Sequence, residues 1–130
     1  MRSMERERFE ELVRQALATV PDEIAQRIDN VDVEVQDWPS SRQLASARVP
    51  RGSTLLGLYQ GIPLTKRNSG YNLVPPDRIT IFQGPIERLT QDDDALVDRV
   101  REVVVHEVAH HFGISDARLS EIERERRAHR

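Results

Sequence analysis

His106, Glu107 and His110 are residue types that together can activate water on a metal ion, and they stand in the order His-Glu-x-x-His. Histidines four residues apart lie one turn apart on the same face of a helix. From there two imidazole nitrogens can reach one zinc ion at about 2.0–2.1 Å each. Glu107 sits round the helix from His106, where it can hold a water at the metal and take its proton without being a ligand. A catalytic zinc takes three protein ligands and keeps one position open, so one more donor is required. His110 begins the pattern His-x-x-Gly-x-x-Asp, ending at Asp116. Gly113 is the residue type that ends a helix abruptly by taking a positive φ. Such a turn brings Asp116 back toward the histidine face, and its carboxylate is an acceptable zinc ligand. Glu121 and Glu123 on the following helix are alternative third ligands. His111 points off the shared face, toward a supporting or surface role, and His129 is a weak candidate in the tail.

Chance produces His-Glu-x-x-His in roughly fewer than one chain in a hundred of this length. The expected chemistry is zinc-assisted hydrolysis of an amide bond in an extended peptide or protein substrate, with Glu107 as general base. The competing reading is a zinc-containing module that binds a peptide or protein without cutting it. Glu107 favours catalysis, since a structural site has no use for a base. The two methionines are Met1 and Met4, so no methionine turn follows the motif and the chain is not an ordinary metzincin. Tyr59, Tyr71 and Arg118 are candidates by type for stabilising an oxyanion.

Three segments carry a family resemblance: Leu55 to Thr65, Pro76 to Pro85, and the histidine helix continued through Asp116-Ala117-Arg118-Leu119. In these the chain resembles the small bacterial family of minimal zincin-like metallopeptidases. The resemblance implies a compact α+β fold with a zincin-type site. A small sheet of three or four strands is expected to pack against an N-terminal helix and the metal-binding helix. In zincins an edge strand pairs with the extended substrate through main-chain hydrogen bonds, and Arg78–Gln83 is the strand expected beside the cleft.

With 130 residues the chain is expected to form one domain, spanning 1–130. A net charge of -3 gives no reason to expect nucleic acid as a partner. The absence of cysteine removes disulfides and thiolate metal sites. No apolar run follows the N-terminus and none is long enough to span a bilayer, so a cytoplasmic protein without membrane attachment is expected. The oligomeric state is left open.

The elements that must position the site follow from patterning. Phe9, Leu12, Val13, Ala16, Leu17 and Val20 recur at helical spacing over about Ser3–Val20, and Pro21 opens a shorter helix. Val31–Asp37 alternates apolar and polar residues as a half-buried strand does, ending at Trp38-Pro39, with Trp38 expected in the core or at its rim. Ser40–Arg51 reads as loop with room for one helical turn. Thr54–Gly61 is a second strand in which Gly57 marks a bulge or a close approach. Ile62–Pro76 is a long connection, Arg78–Gln83 a third strand, and Ile86–Thr90 a short helical turn. Asp92-Asp93-Asp94 opens the metal helix, whose core stripe is Leu96, Val97, Val100, Val104, Val108 and Phe112. Val103-Val104-Val105 is poor helix material alone, but periodicity and motif favour helix. A last helix runs from about Ser115, with a solvated tail.

Overall fold

The computed structural model describes residues 4–49, 54–61 and 76–128. Along these the elements are α1 (Arg6–Leu17), α2 (Asp22–Arg27), β1 (Val31–Gln36), α3 (Ser41–Ser46), β2 (Gly57–Gln60) and β3 (Asp77–Phe82). Then follow α4 (Gln83–Leu89), α5 (Asp93–Phe112) and α6 (Asp116–Ala128). The fold is α+β, as expected. The long connection after Gly61, Tyr71 and His129 lie outside the described residues.

The sheet has the order β1-β3-β2. β1 runs parallel to β3, from Val31 opposite Asp77 to Gln36 opposite Phe82. β2 runs antiparallel to β3, with Tyr59 opposite Ile79 and Gly57 opposite Ile81. The expectation that Arg78–Gln83 forms an edge is therefore wrong: β3 is the central strand, hydrogen-bonded on both sides. Its run Ile79-Thr80-Ile81-Phe82 is buried throughout, which suits a strand covered on both faces. Among the described residues β2 is the edge nearest the histidine helix. Gln83 does not extend the strand but starts α4, which takes in the expected Gly84-Pro85 terminator and most of the turn placed at Ile86–Thr90.

Helix α5 lies between α1 and the sheet. Leu96, Val100, Val104 and Val108 are fully buried in one cluster with Phe9, Leu12, Ile24, Ile79 and Ile81. Val103, Val104 and Val105 are all buried within this helix, so burial overrides propensity. A valine in a helix costs at most about 0.7 kcal/mol against alanine, while burying its side chain contributes about 1.5–3 kcal/mol. Asp92 caps the helix by accepting from the Ala95 N–H at 2.8 Å. Phe112, assigned to the stripe, is instead 40% exposed at its end.

One smaller departure has a local cause, and Trp38 takes one of the two positions expected of it. Ser40 and Gln43 form a reciprocal capping box, which makes α3 a six-residue helix where loop with one helical turn was expected. Trp38 is a rim residue, 46% exposed, lying against Gly84 with the Arg88 guanidinium 4.8 Å from its ring centre. At the N-terminus Arg6 donates to Val35 O and Gln83 Oε1 and pairs with Asp37, tying α1 to the sheet end and α4.

Candidate metal centre

His106 and His110 are exposed on α5, one turn apart, their ring centres 6.4 Å apart and their planes inclined by 60°. Both belong to the strip of the helix that the core leaves uncovered. Its burial on α1 and the sheet is what turns them outward.

The helix ends as the glycine predicts. Gly113 has φ 69° and ψ 27°, in the left-handed region. Its N–H donates to His110 O and the Ile114 N–H to Ala109 O at 2.8 Å, the paired bonds of a Schellman turn. Ile114 packs back on the core. Ser115 then caps α6, its Oγ accepting from the Arg118 N–H at 3.1 Å, and Asp116 stands in the first turn. Asp116 and His106 line one cavity of about 420 Å³ with Val105, Leu119, Ser120, Glu123 and Arg124. The turn at Gly113 thus brings the acid to the cavity that the first histidine also lines. Among the described residues, no three histidine, aspartate or glutamate side chains are gathered as a set able to hold an ion. Two imidazoles and a carboxylate are the donor types zinc takes, and of the three, His106 and Asp116 line the same cavity. By donor chemistry, though not by a gathered geometry, the set fits zinc.

The alternatives to Asp116 differ in their surroundings. Glu121 pairs with Arg118 at 2.9 Å, whereas Glu123 faces the cavity that His106 and Asp116 line. Arg118 also binds Glu23 at 2.6 Å and Glu125 at 3.4 Å. These carboxylates hold its guanidinium above the ordinary arginine range, with the Glu23 hydrogen bond the largest cause. Reciprocally, the Arg118 hydrogen bond holds Glu23 below the ordinary glutamate range. Arg118 is thereby a strut between α6 and α2, which braces the helix carrying Asp116.

Glu107 is half-buried, and its Oε1 accepts from the Tyr59 N–H of β2 at 3.0 Å. The Leu56 carbonyl accepts from Phe82 N, so alternation along the strand turns Leu58 and Gln60 toward β3 and Gly57 and Tyr59 away from it. A Cβ added to Gly57 would stand 2.5 Å from Val103 Cγ1, and one added to Gly61 would stand 3.0 Å from His111 Cε1. Gly57, Tyr59 and Gly61 therefore meet Val103, Glu107 and His111 in turn. Two strand residues advance about 6.8 Å and four helix residues about 6.0 Å, so strand and helix stay in step over three contacts.

The Tyr59 hydroxyl donates to Asp77 Oδ2 at 2.8 Å, which gives it a role other than the oxyanion contact considered from its type. Its ring stacks on His111 at 3.9 Å between centres and 21° between planes. Such a stack contributes about 0.5–1.5 kcal/mol. His111 Nε2 lies 3.9 Å from Asp77 Oδ2, beyond hydrogen-bond reach, so the ring contact is the stronger hold. Phe112 meets both rings edge-on, with Arg27 5.1 Å above its own. Asp77 had no signal in the sequence.

A central strand flanked by one parallel and one antiparallel neighbour, laid on a helix with two outward histidines and an inward glutamate, defines a zincin-like domain. The zincin-like metallopeptidase family model matches residues 28–126, and the chain belongs to that family. Among solved structures it is similar to a conserved hypothetical protein from Thermo thermophilus, at 21% identity and a TM-score of 0.53. That match covers 84% of this chain and 94% of the other, and shows a shared fold. No curated protein matches.

Proposed function

We propose that the protein is a zinc-dependent metallopeptidase that hydrolyses peptide bonds in an extended peptide or protein segment. The observation that carries this reading is the placement of an exposed His106–His110 pair beside a half-buried carboxylate, Glu107, held at an edge strand. His106, His110 and Asp116 would hold the ion. When bound, zinc would polarise the scissile carbonyl and acidify a water. Glu107 takes the proton of the attacking water and returns it to the leaving amine. One of its oxygens is fixed by the Tyr59 N–H, which leaves the other for water. The substrate lies along β2, where the main chain at Gly57 faces away from β3 and offers strand pairing. No described helix is long and apolar enough to cross a membrane, and the net charge of -3 suits a peptide better than nucleic acid.

The test is a peptide-library cleavage screen with zinc-loaded wild type and Glu107→Gln. The variant is expected to keep its zinc and lose cleavage by about a hundredfold or more. Equal cleavage by both would refute the role of Glu107. Zinc bound by both with turnover in neither would replace the peptidase with a zinc-containing binding module.

A further inference from the structure

Resting on Glu107 as the base, we propose that His111, Tyr59 and Asp77 form one clamp that sets the position of the Glu107 carboxylate, with His111 as its positioning residue. Among the described residues the Tyr59 N–H is the only group that donates to Glu107. The base is therefore placed as accurately as β2 is placed on α5. Three contacts fix that strand: Gly57 on Val103, Tyr59 on Glu107, and Gly61 on His111. Glu107 is the middle one. At one end the buried Val103 holds the strand by close packing, and only glycine fits. At the other end His111 stacks on the Tyr59 ring, while the Tyr59 hydroxyl is anchored to Asp77 at the start of the neighbouring strand. The ring is thus held from α5 and from β3 together, and it belongs to the residue whose peptide N–H meets the base. His111 lies off the His106–His110 face, so removing it need not disturb the ligands.

The experiment uses the full chain, isotope-labelled and zinc-loaded, with His111→Ala and His111→Phe. The latter keeps a flat ring to stack on Tyr59. Three quantities are measured: proton shift and hydrogen exchange of the Tyr59 amide, zinc affinity, and kcat and KM on a cleaved library peptide. In His111→Ala the Tyr59 amide shift is expected to move and its exchange to accelerate about tenfold or more. Zinc affinity should stay within about threefold, and kcat should fall about 10–100-fold, the range for removing a supporting contact from a metal site, with KM little changed. His111→Phe is expected to restore both amide and kcat. An unaltered Tyr59 amide in His111→Ala, a perturbed amide with unchanged kcat, or failure of His111→Phe to restore would each overturn the clamp. Wild-type protein that neither binds zinc nor cleaves would refute the peptidase instead, and the amide comparison, which needs neither, would still decide whether the clamp exists.

Discussion

Gly113→Ala isolates the turn that delivers Asp116. The residue sits at φ 69°, and no heavy atom lies within 4 Å of where an alanine Cβ would stand. A methyl there meets no clash and gains no packing, so backbone strain decides the outcome. Placing a Cβ in the left-handed region costs about 1–2 kcal/mol. Alanine also narrows the unfolded ensemble, which offsets about 0.4–1 kcal/mol. The net loss is about 1 kcal/mol. For 130 residues at about 2.1 cal/mol/K each, the unfolding entropy is about 270 cal/mol/K, so Tm should fall by about 4 °C. Gly113→Asn should lose less, because asparagine tolerates this region. The assay is thermal unfolding of metal-free protein followed by circular dichroism. In the folded variant the two turn hydrogen bonds persist and zinc affinity should change less than about threefold. An unchanged Tm would refute the left-handed turn, and a drop beyond about 12 °C would mean that Gly113 carries packing the open space does not account for.

Asp116→Ala should leave the metal-free fold nearly as stable, losing about 0.3–1 kcal/mol of favourable charge at the start of α6. It should lower zinc affinity by more than about a hundredfold, since a ligand matters more than its supports; unchanged affinity by calorimetry would pass the third position to Glu123. The Glu23–Arg118 strut should be pH-dependent. Because Glu23 is held below the ordinary glutamate range in the fold, its contribution is complete above about pH 4.3 and lost as pH falls through the lower folded value. Denaturant titrations should therefore find wild type more stable than Glu23→Gln at pH 7 and equal to it at the acid end; a gap that persists unchanged to the lowest pH at which both fold would contradict this.

The parts of the site that lie close together in the chain were legible in the sequence. His106, Glu107 and His110 share one helix, Gly113 ends it with positive φ, and Asp116 opens the next. Spacing alone specifies those relations. The role of β3 was not legible from alternation, because edge and central strands differ in what lies beside them rather than in period. A signal was present nonetheless: Ile79-Thr80-Ile81-Phe82 is a near-continuous apolar run, the habit of strands buried on both faces. Ser40 and Gln43 likewise carried the capping-box spacing that makes α3 a helix. The contacts of Glu107 with β2, and of Tyr59 with Asp77 and His111, join segments far apart in the chain. No local pattern encodes them. They follow from the rise of a strand matching that of a helix once the two are laid together.

The most direct measurement is metal content by mass spectrometry, with zinc affinity by competition, on wild type, His106→Ala and His110→Ala. Wild type should carry close to one zinc per chain, and each alanine variant should remain folded and lose most of it. Folded wild-type protein that takes up no zinc, or variants that bind it as tightly as wild type, would contradict a metal centre on α5.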